Sequence, residues 1–385
     1  MLDPTGANAF DVVVIGGGPA GSCCALSLAR RGVSVAVVER GSYEAPKVGE
    51  TLPPEIRRLL EPLGVWEHFL AGDHVRSPGT ISVWGSERPY DNDLIFSPYG
   101  SGWHVDRKRF DRMLADAAMA AGSEFSPKTA VRSCDRNPDG GWRVKAQIAN
   151  CPLELSCRKL VVATGRSGCG LAQIGPRAHL DRLVGVVGFF QDTTDGDTRT
   201  LVEACEAGWW YCASLPQNRH IVAFMTDRDL IPRALGRLEE AWRRALHRSV
   251  HARARISGKL PLGPLRIVAA DTYRRTRLAG DGWVAAGDAA FTYDPLSSQG
   301  IHKAMASGLA AAEAIAASIS GAPESMFEYA RKADEAFVRY WRIHENHYRR
   351  EVRWPNSPFW CRRHKSHYGP AKDSVYPPDG FLIAR

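Results

Sequence analysis

The 385-residue sequence lacks several features that would mark particular classes of protein. It has no run of about 18 apolar residues, so no membrane-spanning helix is predicted. Its first residues have no basic stretch followed by an apolar one, so no secretory signal is predicted. The nine cysteines are odd in number and form no CxxC pair, which argues against a zinc centre or a disulfide framework. We therefore expect reduced thiols, no metal site and a cytoplasmic location.

Lysine is scarce as well, because 40 of the 50 basic residues are arginine. The chain has 42 acidic residues and a formal net charge of +8, of which +5 falls in residues 340–385. A basic segment can attract nucleic acid, an anionic surface or an acidic partner. A solvated, arginine-rich surface is the simpler interpretation.

A dinucleotide-binding pattern lies near the start of the chain. The β-branched run at 11–15 predicts a buried strand, and GGGPAG at 16–21 follows it directly. A predicted helix and a second strand come next, and that strand ends at Glu39. The first glycine permits a tight turn, the second lets the backbone approach a pyrophosphate, and the third allows close helix–strand packing. Glu39 can accept hydrogen bonds from an unphosphorylated ribose, which favours FAD or NAD.

A second strand–turn–helix pattern, far along the chain, favours a flavin. Residues 281–288 predict a strand that ends in Gly-Asp, and DPLSSQGI at 294–301 leads into a long helix. An acid at a strand end can hold a ribityl chain, and N–H groups at a helix start can face a flavin carbonyl. No second GxGxxG occurs, which argues against a reductase with two dinucleotide domains.

Seven motifs along the chain together suggest a family. They are GGGPAG at 16–21, Glu39-Arg40, VGETLP at 48–53, VDRKRF at 105–110, VVATG at 161–165, GDAA at 287–290 and DPLSSQGI at 294–301. With them the chain resembles FAD-dependent monooxygenases of the p-hydroxybenzoate hydroxylase type, in the branch that includes the tryptophan halogenases. The resemblance implies that FAD is bound by Gly16, Gly18, Pro19, Ala20, Gly21, Glu39, Arg40, Gly49, Glu50, Arg107, Gly165, Asp288, Pro295, Gln299, Gly300 and Ile301.

Three departures from that family narrow the expected activity. Halogenases of this branch have an active-site lysine after the GExxP segment, but no lysine occurs here between Lys47 and Lys108. Their WxWxIP motif would fall on residues 211–216, where both tryptophans are missing. Hydroxylases that bind NADPH themselves usually have Asp-Gly where this chain has Thr164-Gly165. These departures argue against halogenation, and we expect electrons from NAD(P)H either directly or through a separate flavin reductase.

Within the branch, DPLSSQGI and the segment RWPNSPFWCRRH at 353–364 most resemble maturation flavoproteins of tryptophylquinone enzymes. Those flavoproteins serve lysine and glycine oxidases and quinohemoprotein amine dehydrogenase. The resemblance implies hydroxylation of an aromatic ring through a C4a-hydroperoxyflavin, with a tryptophan of a partner polypeptide as substrate. Two alternatives remain: a hydroxylase or halogenase of a small or carrier-bound aromatic natural product, and a non-catalytic, flavin-bound assembly factor.

Four residues are candidates for roles beyond cofactor binding. Glu50 and His302 are the catalytic candidates, because both lie beside the flavin motifs. Trp209 and Tyr211 share one face of a predicted strand and are candidates for an aromatic substrate pocket, although packing in the core explains them equally well. We expect neither nucleic acid nor a membrane as a partner.

The predicted fold is α/β, with a Rossmann-like FAD-binding domain interleaved with a mostly antiparallel substrate domain. The FAD-binding domain is assigned to 1–67, 103–171 and 276–320, and the substrate domain to 68–102 and 172–275. Residues 321–385 are assigned to a helical, basic C-terminal region.

The C-terminal region also contains a candidate docking surface for a protein partner. Arg362 and Arg363 supply positive charge there, beside Trp354 and Trp360.

Overall fold

The computed structural model describes residues 8–167, 174–191 and 196–365, and it confirms the predicted α/β fold class. The strands are β1 (Asn8–Ile15), β2 (Val35–Val38), β3 (Thr51–Leu52), β4 (Val75–Ser77), β5 (Gly79–Val83), β6 (Tyr90–Asp93), β7 (Gly102–His104), β8 (Glu124–Ser126), β9 (Thr129–Arg136), β10 (Trp142–Ile148), β11 (Cys151–Val162), β12 (Arg177–His179), β13 (Leu183–Gln191), β14 (Thr200–Cys205), β15 (Gly208–Leu215), β16 (Arg219–Asp227), β17 (Leu260–Pro261), β18 (Arg266–Ala269), β19 (Tyr273–Arg275), β20 (Ala279–Gly280) and β21 (Trp283–Ala285). The helices are α1 (Pro19–Ala29), α2 (Arg57–Leu60), α3 (Trp66–Leu70), α4 (Arg107–Ala120), α5 (Leu235–Arg248), α6 (His251–Arg255), α7 (Gly300–Ile319), α8 (Ser325–Arg349) and α9 (Pro358–Lys365).

The first large sheet is the Rossmann-like one. Its strands are ordered β20-β21-β11-β1-β2-β8, and every pair from β21 to β8 is parallel. Strands β1 and β2 are buried on both faces at Val12–Ile15 and Val35–Val38, which explains their unbroken apolar sequence. Because parallel strands point the same way, the segments that follow β1, β2, β11 and β21 all emerge at one edge of the sheet.

The second large sheet is mostly antiparallel, as predicted. Its order is β17-β13-β16-β15-β14-β5-β6, and of these pairs only β14 and β5 are parallel. Strands β15 and β16 pair from Trp209↔Met225 to Leu215↔Arg219 and are almost wholly buried. An ion pair between Arg219 and Asp106, 2.7 Å apart, joins this sheet to the start of α4.

The C-terminal helices pack against both sheets. Two of the four residues expected to form a docking surface, Trp360 and Arg363, are buried there. Trp360 is fully buried, and its Nε1 donates to the carbonyl of Cys205 at 2.9 Å. Arg363 is only 8% exposed and binds Asp227 at 2.9 Å, while Arg362 binds both Asp227 and Asp229. Arg363 is therefore buried and Arg362, although 43% exposed, is paired with two carboxylates, so both arginines hold α9 in place. His367 and the other residues after 365 lie outside the described part.

We predict that Arg363→Met destabilises the protein by about 3 kcal/mol, because it leaves the buried Asp227 carboxylate with a weakened ion-pair network. Urea unfolding measures the effect. Arg342→Met, an exposed arginine on α8, is the matched control and should change stability little. Equal stability of the two variants would show that Arg363 contributes no more to folding than an exposed arginine does.

Neither a membrane-spanning helix nor a metal-binding cluster occurs among the described residues. No described helix is long and apolar enough to cross a membrane. Within 8–167, 174–191 and 196–365, no group of three or more His, Cys, Asp or Glu side chains is arranged to hold a metal ion.

Candidate active site

A cleft of about 810 Å³ lies between the two large sheets. One side consists of the loops at the carboxyl edge of the Rossmann-like sheet, and the other includes side chains of β15, β16 and β18. Fourteen of the predicted cofactor-binding residues line it: Gly16, Gly18, Pro19, Ala20, Glu39, Arg40, Gly49, Glu50, Arg107, Gly165, Asp288, Pro295, Gly300 and Ile301. Segments separated by up to about 285 positions thus meet because their strands are parallel and adjacent.

The glycine-rich turn after β1 meets the demands of a pyrophosphate site. A Cβ added to Gly18 would find no protein atom within 4 Å, so the backbone there is open to a ligand. Gly16 has φ +106°, and a Cβ on Gly21 would lie 1.8 Å from the carbonyl oxygen of Gly16. Gly21 therefore does not line the cleft but lets α1 pack against the turn, with the helix N-terminus directed at the cleft.

Glu39 closes the same turn from the end of β2. Its two carboxylate oxygens accept hydrogen bonds from the backbone N–H groups of Gly17 and Gly41, each at 2.6 Å. Tyr43 supports the loop by donating to the carbonyl of Gly17 at 2.7 Å. The carboxylate is thus held at the cleft wall, where a ribose hydroxyl can reach it.

Arg107, at the start of α4, is fixed by an acid that the sequence analysis overlooked. Its guanidinium binds both oxygens of the buried Asp111, at 2.9 and 3.1 Å, and donates to the carbonyls of Val48 and Gly49. Lys47 binds the same carboxylate at 2.7 Å. Burial raises the pKa of Asp111, but the two cations outweigh it and hold that pKa below its usual range. The i, i+4 spacing of Arg107 and Asp111 could have revealed this pair.

Asp288, after β21, lies in a network of two cations. Lys303 binds it at 2.6 Å and also donates to the carbonyl of Phe291, and Arg166 lies 3.7 Å away. Burial raises the pKa of Asp288, but the positive charges outweigh it, so the pKa is lowered. The lowered pKa favours the carboxylate form of Asp288, whose oxygens can accept hydrogen bonds from a ribityl hydroxyl. Arg166 was missed, although it directly follows the predicted Gly165.

Glu50 is the exceptional group in the cleft. Its side chain is buried, and neither carboxylate oxygen makes a hydrogen bond of normal geometry within the described residues. Burial raises the pKa of Glu50 to about 7, although the nearby backbone N–H groups of Gly49 and Glu50 and the charge of Arg107 partly oppose this. A carboxyl group with a pKa near neutrality can both accept and release a proton in a working enzyme.

The wall opposite the cofactor-binding loops is apolar except for one hydroxyl pair. Tyr211 lines the cleft, and its hydroxyl lies 2.6 Å from that of Thr51, the residue after Glu50. Ala223, Met225 and Val268 supply the apolar surface. This arrangement suits a flat, mostly apolar ring.

Besides Gly21, three predicted site residues lie outside the cleft. Gln299 and His302 line a different pocket, on the α8 side of α7. Successive helical residues are about 100° apart, so Ile301 and Ala304 face the cleft while His302 does not. Trp209 is fully buried behind the cleft, and its Nε1 donates to the Tyr348 hydroxyl at 2.9 Å. The catalytic role of His302 and the substrate-binding role of Trp209 therefore lose their geometric basis.

Comparisons with known proteins agree with this site. A family model described as an FAD binding domain matches residues 9–339. The putative FAD-dependent oxidoreductase LodB of Marinomonas mediterranea is 30% identical over 364 residues, a match that covers 93% of this chain and 97% of LodB. Flavin-dependent halogenases of Armillaria mellea also occur among the relatives, at 27% and 26% identity.

Two solved structures have the same fold. The myxobacterial chondrochloren halogenase CndH has a TM-score of 0.85 and 24% identity, covering 92% of this chain and 86% of its own. The peptidyl tryptophan dihydroxylase QhpG, described as essential for tryptophylquinone cofactor biogenesis, has a TM-score of 0.76 and 23% identity, with coverages of 92% and 79%.

The chain therefore belongs to the FAD binding domain family, and it is an FAD-dependent oxidoreductase. The residues present fit the cofactor. The open backbone at Gly18, the carboxylate of Glu39, the guanidinium of Arg107 and the ionised Asp288 provide the contacts that its phosphates, ribose and ribityl chain require.

Proposed function

We propose that the protein is a monooxygenase that hydroxylates a tryptophan side chain of a partner polypeptide during tryptophylquinone formation. Bound FAD, once reduced, supplies the activation of O₂ that this chemistry needs. The observation that carries the proposal is Glu50, a buried and unpartnered carboxyl group with a raised pKa beside an apolar wall. As a base, it can accept the proton that an electron-rich ring loses on oxygenation.

The other residues of the cleft bind and orient. Arg107 and the N-terminus of α1 hold the phosphates, and Asp288 holds the ribityl chain. The hydroxyl pair of Tyr211 and Thr51 can orient a polar edge of the substrate, while Met225 and its apolar neighbours exclude water.

One comparison supports a polypeptide substrate. QhpG, a peptidyl tryptophan dihydroxylase, has the same fold as this chain. Electrons are proposed to come from NAD(P)H through a separate flavin reductase, since the strand end at 163–165 lacks the Asp-Gly of hydroxylases that bind NADPH.

Halogenation is the second candidate, because halogenases occur among the relatives. The lysines near the cleft argue against halogenation, because their ammonium groups are paired with carboxylates. Lys47 lines the cleft within the described residues, but it is bound to Asp111 at 2.7 Å. Lys303 is likewise buried and bound to a carboxylate, that of Asp288, at 2.6 Å.

A mass measurement tests the proposal. The FAD-loaded protein is incubated with a reductase, NADH, O₂ and polypeptides encoded by neighbouring genes, with bromide present or absent. We expect the polypeptide to gain the mass of one or two oxygen atoms at a tryptophan, independently of bromide. A Trp→Phe change at the modified position is the control. Gain of bromine, or oxidation only of free indole or phenol, would contradict the proposal.

A further inference from the structure

The antiparallel sheet has an open edge beside the cofactor cleft. Strands β17 and β18 both pair with β13, and neither pairs with any other described strand. Val268, Ala269 and Ala270, at the end of β18, line the cleft. The outer edge of β18 therefore leads from the protein surface to the cleft wall.

The hydrogen-bond pattern shows which backbone groups lie on this edge. Ala270 donates to the carbonyl of Leu183 at 3.1 Å, so these two residues form a hydrogen-bonded pair. In antiparallel strands such pairs alternate with pairs whose N–H and C=O groups point away from each other. Along the register from Ala270, the backbone groups of Ala269 and Ile267 therefore point outward. Within the described part of the chain, neither N–H has an acceptor.

Other edge positions of the same sheet are protected against pairing with a further strand. Pro261 occupies an outward-facing position of β17, and proline has no N–H to donate. At the opposite edge of the sheet, Asp91 and Asp93 occupy the outward-facing positions of β6. Proline and charge are the usual means of keeping edge strands from pairing with other chains. Ile267 and Ala269 have neither, so the edge of β18 can accept a strand.

The surroundings of this edge are basic. None of the 30 residues from 241 to 270 is acidic, and seven are basic: Arg243, Arg244, Arg248, Arg253, Arg255, Lys259 and Arg266. Arg266 is exposed and forms no ion pair within the residues that the structure describes. Strand alternation places its side chain on the same face as Val268, which lines the cleft. Ile267, 43% exposed, offers an apolar side chain on the other face.

We propose that the outer edge of β18 binds an extended, acidic segment of the partner polypeptide as an added strand. An extended peptide supplies the alternating donors and acceptors that the backbone of Ile267 and Ala269 requires. Acidic side chains of the segment meet Arg266 on the cleft face, and apolar ones cover Ile267 on the other face. Because Ala269 lines the cleft, the added strand brings its side chains to the cleft rim. The inference rests on the proposed function, since it states how the polypeptide substrate is held.

Peptide binding to the oxidised, FAD-loaded protein tests the docking edge without any chemistry. The probe is a fluorescent synthetic peptide of alternating valine and glutamate, with one tryptophan at a glutamate position. Ile267→Pro removes an outward N–H and leaves the hydrogen bonds to β13 in place, so it should weaken binding by about tenfold. Asp93→Pro, at an outward-facing position of the opposite edge, is the matched control and should bind normally. Equal affinity of Ile267→Pro and wild type would overturn the proposal.

Two measurements on the wild-type protein separate strand pairing from charge attraction, even if a proline variant folds poorly. Hydrogen exchange at the amides of Ile267 and Ala269 should slow when the peptide binds. Peptides N-methylated on alternate residues can be made in two phases, and the phase that blocks the edge facing β18 should not bind. Unchanged exchange at both amides, or binding of both methylated peptides as tightly as the parent, contradicts an added strand.

The same assay tests the charge and the identity of the occupant. Arg266→Glu should weaken peptide binding by about tenfold, whereas Arg342→Glu, at an exposed position of α8, should not. A dimer that forms without peptide and is lost in Ile267→Pro would show that the edge pairs with a second copy of this chain, and would overturn the proposal.

The docking edge and the hydroxylase can fail separately. If the peptide binds as expected but the mass test finds no oxidised tryptophan, the hydroxylase is wrong and the docking edge stands. If a partner polypeptide is hydroxylated equally well by wild type and Ile267→Pro, the hydroxylase stands and the docking edge is wrong.

Discussion

A Gly18→Val variant should fold normally and bind FAD at least about 100-fold more weakly, a loss of about 2.8 kcal/mol or more. Gly18 has φ −74° and ψ −172°, which a valine adopts without strain, and no protein atom lies within 4 Å of the added Cβ. The new side chain would therefore occupy only the space that the pyrophosphate needs. Flavin fluorescence and calorimetric titration measure the affinity, and thermal unfolding of the FAD-free protein measures the fold.

Gly21→Ala is the contrasting control for this result. Its Cβ would lie 1.8 Å from the carbonyl oxygen of Gly16, so it should destabilise the fold itself by about 3 kcal/mol. If Gly18→Val bound FAD as tightly as wild type, the cleft would not be the cofactor site. If the variant lost FAD but still supported maturation of the partner, the protein would be an assembly factor instead of an enzyme.

Glu50→Gln should lower turnover of the aromatic substrate by about 100-fold or more, because the amide cannot accept a proton. Wild-type turnover should fall as the pH drops below about 7, the pKa of Glu50, since the protonated carboxyl group is no longer a base. Glu44→Gln, which changes an exposed acid in the same segment, is the matched control. An equal pH profile in wild type and Glu50→Gln would remove Glu50 from the mechanism.

The same variant should be more stable than wild type at alkaline pH in the absence of FAD. The pKa of Glu50 is raised from 4.5 to about 7 in the folded protein, so the unfolded chain loses this proton first as the pH rises. Wild type therefore loses stability between about pH 4.5 and 7, by about 3 kcal/mol in total. Glu50→Gln avoids this loss. Denaturant unfolding at pH 5 and pH 8 should show a stability difference that grows with pH.

Much of the cofactor site follows from local sequence patterns. The strand–glycine–helix pattern at 11–31, Glu39 and the Gly-Asp at 287–288 are short-range patterns, because each depends on the backbone of one turn. Fourteen predicted residues line a single cleft for this reason. Such patterns could not predict which face of α7 His302 occupies. Neighbouring helical residues point about 100° apart, so Ile301 lines the cleft while His302 lines the pocket on the other side of the helix.

The C-terminal segment shows a different limit. Its net charge and tryptophans resemble a docking surface in sequence, yet Trp360 and Arg363 are buried against β14 and β16. Their partners, Cys205 and Asp227, lie more than 130 positions earlier in the chain. A sequence lists charges, but only the fold shows which of them are already paired.

The sequence by itself therefore determined the α/β class, the FAD-binding pattern and the absence of a free halogenase-type lysine between 48 and 107, because these depend on residue types at short spacing. Only the tertiary structure showed which acid in the cleft has a pKa near neutrality. The sequence marked Glu50 as a catalytic candidate only by its place beside a flavin motif, whereas its raised pKa comes from burial between two sheets. The pairing of Asp294 with His344, 50 positions away, is likewise a product of the packing of α8 against the turn before α7.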